Sequence, residues 1–156
     1  MLGLGNPILG DDGVGWHIAQ VVQQRLAELS HNGRVIEVDF IAVGGLSLME
    51  RMVGYDRVIL IDAFLDQEYP LGSIFISDLQ NLPEHAQGHL RSAHDVSLRH
   101  ALELGRLAGA QIPKQITVVG IRADAVFDFS DRLSPTIEQA VPEAVQCVIN
   151  LINKEL

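Results

Sequence analysis

Two continuous apolar runs constrain the fold of this chain more than any other feature. Residues Arg57–Asp62 and Gln115–Ile121 are dominated by large aliphatic side chains, which is typical of strands buried on both faces of a parallel sheet. Helix and strand patterns alternate around these runs, and such alternation implies right-handed crossovers with helices on both sides of the sheet. We therefore predict an α/β fold with an open, mostly parallel sheet.

The remaining elements follow from periodicity and from turn residues. The predicted helices cover residues 12–29, 46–52, 94–108 and a C-terminal segment that starts at Pro135 after an N-cap at Ser134, with a potential kink at Pro142. The further strands cover residues 1–4, 34–39 and 72–77, and residues 79–93 form a polar loop. No repeat, low-complexity segment or linker divides the chain, so we expect one domain over residues 1–156.

Composition excludes several classes of function. A net charge of -9 argues against nucleic acid and anionic membranes as partners. No run of 18 apolar residues is present, so no membrane span is expected. Met1 leads directly into a glycine-rich turn, which does not look like a secretory signal. The single Cys147 rules out an internal disulfide and a cysteine metal cluster. We expect a cytoplasmic protein.

The glycine-rich turn near the N-terminus, Gly3–Gly15, resembles a nucleotide loop at first sight. Four residues separate Gly5 from Gly10, so the spacing of the dinucleotide fingerprint fails. No Lys or Arg precedes Arg25, and the adjacent acids of the turn would repel a phosphate. A hard or borderline metal cation is therefore a better candidate ligand for this loop than a phosphate.

Acidic residues follow several predicted strands. Asp11 and Asp12 follow the first strand, Asp39 ends the second and Asp62 ends the third. Sites in open α/β folds lie outside the carboxyl ends of the strands, so these acids are candidate site residues. Each has a structural alternative. Asp11 or Asp12 could serve as the N-cap or a first-turn acid of the next helix, worth about 1 kcal/mol, and Asp62 could cap or solvate a strand end.

His94 is the third candidate. Ser92 and Asp95 match a capping box, which places His94 in the first turn of a helix, where the helix dipole disfavours imidazolium. Neutral imidazole is the form that binds metals, although a surface histidine is the structural alternative. Together, Asp12, Asp62 and His94 make an open site for a divalent cation, with positions left for water or substrate.

Two other arrangements are weaker. His85 and His89 have i, i+4 spacing, but Pro83 and Gly88 make the segment a loop and no Glu stands between the histidines as in His-Glu-x-x-His. A Ser-His-Asp triad lacks the Gly-x-Ser-x-Gly elbow.

The motifs as a set resemble one family. Gly3-x-Gly5-Asn6 and the run from Gly10 to Gly15 strongly resemble the hydrogenase maturation proteases, endopeptidases that trim the C-terminal tail of the large subunit of nickel-iron hydrogenases. The resemblance continues through Val58–Ala63, Ser92–His94, Thr117–Ile121 and Leu133–Pro135. It thus covers nearly the whole chain in order.

The resemblance implies a three-layer αβα sandwich with a twisted sheet. It implies that Asp12, Asp62 and His94 bind the metal and are the catalytic residues. The metal is nickel, largely carried by the substrate, and no organic cofactor is expected. The implied reaction is removal of the C-terminal extension of a large-subunit precursor after nickel insertion, by a monomer. Two alternatives stay open: a metal-dependent hydrolase of small amides or peptides, and a non-catalytic nickel-binding chaperone.

One departure from the family pattern concerns the first strand. Family members usually carry several more apolar residues before the first glycine, whereas only Met1 and Leu2 precede Gly3. We therefore expect a short first strand beside an intact turn.

Overall fold

The computed structural model describes residues 1–27, 35–82, 97–125 and 129–154. Five strands form its sheet: β1 (Leu2–Leu4), β2 (Asp39–Ile41), β3 (Arg57–Phe64), β4 (Ile74–Asp78) and β5 (Gln115–Arg122). Their order is β2-β1-β3-β5-β4. Only β4 runs antiparallel to its neighbour among the described pairs. The predicted α/β class and mostly parallel sheet are therefore confirmed.

In the described part of the chain, four helices cover the two faces of the sheet: α1 (Val14–Leu26), α2 (Gly45–Met52), α3 (Leu98–Leu107) and α4 (Pro135–Lys154). Short 3-10 turns lie at Gly10–Gly13 and Leu79–Asn81. Helices α2 and α3 share one apolar core with the sheet, whereas α1 and α4 share the other. This arrangement confirms the three-layer αβα sandwich.

Strand β3 shows why the chain needs a continuous apolar run. Val58 and Leu60 point into the core under α2 and α3, while Ile59 and Ile61 point into the core under α1 and α4. Because successive side chains leave a strand on opposite faces, a central strand with helices on both sides buries every position. Central β3 therefore carries little alternation between polar and apolar residues.

Strand β2 was predicted over residues 34–39, and that position is wrong. The observed strand starts at Asp39, which pairs with Leu2, and ends at Ile41, which pairs with Leu4. Pairing with β1 sets the position of this edge strand, and β1 contains three residues. The short first strand is therefore confirmed, and residues 35–38 lie beyond the paired stretch.

Two helix boundaries also differ from the predictions. The helix predicted over 12–29 begins with the 3-10 turn and becomes α-helical at Val14. Helix α3, predicted to begin at His94, begins at Leu98, with Ser97 as the N-cap whose side chain accepts a hydrogen bond from the backbone N–H of His100. The predicted capping box, residues 92–95, lies outside the described residues, as do His85 and His89.

Helix α4 starts at Pro135 as predicted, and it contains Pro142. Within the described ranges, none of the helices combines the length and the apolar character needed to cross a membrane.

Candidate active site

The glycine turn holds the start of α1 against the carboxyl end of the sheet. A Cβ at Gly15 would lie 2.3 Å from the carbonyl oxygen of Ile61 and 2.4 Å from that of Leu4, and a Cβ at Gly5 would lie 1.9 Å from the carbonyl oxygen of Asp12. Gly5 also has a φ of 117°, a conformation that favours glycine. Glycine at these positions therefore lets the turn bearing Asp12 pack directly on β1 and β3.

Asp12 is oriented by the backbone of its own turn. Its Oδ2 accepts a hydrogen bond of 2.8 Å from the backbone N–H of Asn6, and the residue is half-buried. The N-cap of α1 is Gly13, without a side-chain hydrogen bond. Asp12 is therefore not the N-cap of α1, although it lies with Asp11 in the first turn of the 3-10 helix that leads into α1.

Asp11 has a different environment from its neighbour. The residue is 8% exposed, and its Oδ1 accepts a hydrogen bond of 2.6 Å from the backbone N–H of Ser134. Ser134 directly precedes α4, so the carboxylate ties the glycine turn to the start of the C-terminal helix. Sequence reasoning missed this contact because its partners are 123 residues apart and no local motif links them.

Asp62 lies inside β3 and not at its end. The strand continues to Phe64 because its pairing with β5 extends through Ala63 and Phe64, and Asp62 itself pairs with Gly120. Asp62 is 3% exposed. It follows Val58 and Leu60 at two-residue spacing, so it shares the sheet face covered by α2 and α3. A buried acid in an apolar strand is costly for folding, which is typical of a functional position.

The loop after β3 is fixed by a buried arginine from the neighbouring strand. Arg122 is 5% exposed; its Nε donates to the carbonyl oxygen of Asp66 at 2.6 Å, and its Nη1 donates to Oδ1 of Asp124 at 2.8 Å. The backbone that follows Asp62 is therefore held in place by β5.

The structure thus brings together the segments that carry two of the three predicted site residues. The first turn of α1 packs on the carbonyl of Ile61, the residue before Asp62, and the 3-10 turn containing Asp12 contacts β3. His94 lies outside the described residues. Among the residues that are described, no group of three or more His, Cys, Asp or Glu side chains is arranged to hold a metal ion.

The donor set of the three predicted residues fits a borderline divalent metal. Two carboxylates and one imidazole supply oxygen and nitrogen ligands of the kind that Ni²⁺ and Zn²⁺ accept. The assignment of Asp12, Asp62 and His94 as ligands stays a prediction.

Comparison with known proteins identifies the family. The HycI family model, described as hydrogenase maturation protease, matches residues 18–151. The chain therefore belongs to the hydrogenase maturation protease family, and it is a protease.

Relatives support this assignment over nearly the full chain. The hydrogenase 2 maturation protease of Escherichia coli is 26% identical over 96% of this chain and 87% of its own length. The hydrogenase expression/formation protein HoxM of Cupriavidus necator is 26% identical over 98% of this chain and 73% of its own length. The structure of the hydrogenase maturating endopeptidase HybD from E. coli superposes with a TM-score of 0.74 at 25% identity, covering 99% of this chain and 91% of that one.

Proposed function

We propose that this protease removes the C-terminal extension of a nickel-iron hydrogenase large-subunit precursor once nickel has been inserted, and that the nickel in the precursor is its recognition element. Family membership supports the protease class and the link to hydrogenase maturation. The observation that carries the proposal is the contact of the Asp12 turn with β3, the strand of Asp62, at the carboxyl edge of the sheet.

The chemistry required is hydrolysis of one peptide bond. The oxygen of a water adds to the carbonyl carbon, the carbon–nitrogen bond breaks, and a proton passes from the water to the leaving amine. Asp12, Asp62 and His94 would hold a metal ion that, when bound, would supply polarisation of the carbonyl oxygen. An oriented carboxylate is suited to take the proton from the water or to ligate the metal.

The surroundings of Asp12 and Asp62 support these proposed roles. The Asn6 N–H fixes one oxygen of Asp12, and the side chain of Asp62 is recessed in a rigid central strand. His94 completes the proposed set as a neutral imidazole donor. We further propose that the enzyme acts as a monomer in the cytoplasm, with no organic cofactor.

The test uses the purified large-subunit precursor from the same organism, with and without nickel, and mass spectrometry of the precursor after incubation. We expect loss of the C-terminal extension only from the nickel-loaded form. Asp12→Asn and His94→Gln should abolish this loss while leaving the circular dichroism spectrum and the thermal midpoint close to those of the unsubstituted enzyme.

Matched controls come from an exposed acid at the amino edge of the sheet and an exposed histidine on α3. Asp56 precedes β3 at the opposite edge of the sheet, and His100 lies on α3, and both are exposed. Asp56→Asn and His100→Gln should process the precursor normally.

Three outcomes would contradict the proposal in different ways. Normal processing by Asp12→Asn removes that residue from the site. Turnover of small peptides without a precursor favours the small-amide hydrolase, and tight precursor binding with no change in mass favours the nickel-binding chaperone.

A further inference from the structure

Large exposed apolar side chains lie on the connections at the carboxyl edge of the sheet, where the proposed site is located. We define the apolar rim as Ile8, Val43, Leu46, Leu65 and Phe129, which are between 37% and 81% exposed. They come from four separate connections: one after β1, one between β2 and α2 including its first turn, one after β3 and one after β5. Exposed apolar residues grouped in this way mark interaction surfaces.

Backbone hydrogen bonds join these connections to one another. The N–H of Ser130 donates to the carbonyl oxygen of Ile8 at 3.0 Å, which places Phe129 beside the glycine turn. The N–H of Gly5 donates to the carbonyl oxygen of Ile41 at 3.1 Å, just before Val43. The apolar rim is therefore built on the same framework that positions Asp12.

The β3 side of the rim is attached in the same way. The N–H of Ala123 donates to the carbonyl oxygen of Phe64 at 3.0 Å, so the connection after β5 starts beside Leu65. The rim residues thus belong to connections that follow four adjacent strands of the sheet, β2, β1, β3 and β5.

Burial of the site favours a protein partner over a short free peptide. Because Asp62 is 3% exposed, a peptide bond reaches it only on a protruding segment, and the body that carries this segment comes to rest on the surrounding surface. We propose that the apolar rim binds the folded large-subunit precursor through apolar contacts around the base of its C-terminal extension. This inference rests on the proposed function.

Charge argues against a second copy of this chain as the occupant. Each copy carries a net charge of -9, and pairing through the rim would bring two sets of recessed acids, Asp11, Asp12 and Asp62, towards each other. Like charges brought close together in a water-poor interface cost several kcal/mol.

The chain offers matched control residues on α3, outside the connections that form the rim. Phe129 is 81% exposed and Leu107, at the end of α3, is 80% exposed; Leu65 is 50% exposed and Leu104, also on α3, is 41% exposed. Serine substitutions at these four exposed positions remove similar apolar surface from the rim and from α3 and leave both cores intact.

Binding and cleavage are measured separately. Each serine substitution is made in the otherwise unsubstituted enzyme, and its Kd is measured by biolayer interferometry with the nickel-free precursor, which the proposed function expects to remain uncut. We expect Phe129→Ser and Leu65→Ser each to raise the Kd by roughly fivefold or more, since buried aromatic and aliphatic anchors dominate interfaces. Leu107→Ser and Leu104→Ser should leave the Kd within about twofold, as expected outside an interface.

The outcomes distinguish the rim from the proposed function. Equal Kd values for rim and control variants overturn the rim even if the unsubstituted enzyme cleaves the precursor. If binding depends on the rim but the unsubstituted enzyme does not cleave the nickel-loaded precursor, the proposed function is contradicted and the docking role of the rim is supported. Absence of binding overturns the rim, as does a dimer in sedimentation velocity that Phe129→Ser dissociates.

Discussion

The two edges of the sheet carry the same residue types in opposite settings. At the amino edge, the acids meet side chains in solvent: Asp56 lies 3.5 Å from the Nζ of Lys114 with both side chains 87% exposed, and the hydroxyl of Tyr55 donates to Glu37. Water screens such exposed pairs, which are worth at most about 1 kcal/mol.

At the carboxyl edge, the acids are recessed and backbone groups hold two of them. Asp11 and Asp12 accept backbone N–H groups from Ser134 and Asn6, and Asp62 is 3% exposed inside a central strand. Burial makes these carboxylates costly to place and fixes their positions. An acid at a strand end is therefore not by itself a site residue. The acids of the proposed site differ from the surface acids in being less exposed and, for Asp11 and Asp12, in accepting hydrogen bonds from backbone N–H groups.

The largest expected effect is that of Asp62→Asn on activity. The substitution keeps the shape of the side chain and removes its charge, so a base or ligand is lost without a cavity. We expect the rate of precursor cleavage, measured by mass spectrometry, to fall by about 10²–10⁴-fold, the range for a general base. Asp56→Asn should leave the cleavage rate unchanged. Equal cleavage rates for the two variants would mean that acids at the two edges do not differ in their role in catalysis.

Glycine substitutions extend the comparison to folding. An alanine Cβ at Gly15 would lie 2.3 and 2.4 Å from two strand carbonyl oxygens, so α1 must move away from the sheet. At Gly54, near the amino edge, a Cβ meets nothing within 4 Å, and the cost is limited to its φ of 90°. We expect urea unfolding to show a loss of about 3 kcal/mol or more for Gly15→Ala and about 1 kcal/mol for Gly54→Ala. Similar losses for both would mean that the turn is not tightly packed.

The sequence predicts elements whose position depends on their own pattern. Strands β3 and β5 and helix α4 begin at the predicted residues, because burial on both faces and a first-turn proline leave local signals. Strand β2 was misplaced because its register is set by β1, which is distant in sequence.

The features of the proposed site also separate into those with a local sequence signal and those set by tertiary contacts. The glycine turn and the end of an apolar run are local features, and they indicate Asp12 and Asp62 from the sequence alone. The bond between Asp11 and Ser134 and the continuation of β3 past Asp62 depend on tertiary contacts, so no periodicity in the sequence reveals them.

Asp11 separates structural from catalytic roles within one pair of adjacent acids. Asp11→Ala removes the acceptor of the Ser134 N–H beside a buried position, and hydrogen bonds to charged groups are worth about 1.5–3 kcal/mol. We expect urea unfolding to show a loss in that range, with partial recovery in Asp11→Asn, whose amide oxygen still accepts.

The cleavage rate per folded molecule is the control for Asp11. It should fall far less for Asp11→Ala than for Asp62→Asn. A loss of activity as large as that of Asp62→Asn, with stability unchanged, would assign Asp11 to the chemistry.

The smallest effect is expected at the amino edge, from Tyr55→Phe. The hydrogen bond to the Glu37 carboxylate raises the pKa of the Tyr55 hydroxyl above 10.0. The pKa of Tyr55 is therefore higher in the folded state than in the unfolded state. Because of this, the neutral phenol stabilises the folded state below about pH 10, and the contribution is lost as the pH rises through the pKa of the folded state.

The side chain of Tyr55 is exposed, so solvent limits the effect on the free energy of unfolding to a few tenths of a kcal/mol. Urea unfolding of both proteins at pH 7 and at a pH above the raised pKa of Tyr55 should show a small difference that disappears at the higher pH. If the difference in the free energy of unfolding persists at the higher pH, Tyr55 acts through packing and not through its hydrogen bond. Side chains at the amino edge would then contribute to stability by packing despite their exposure.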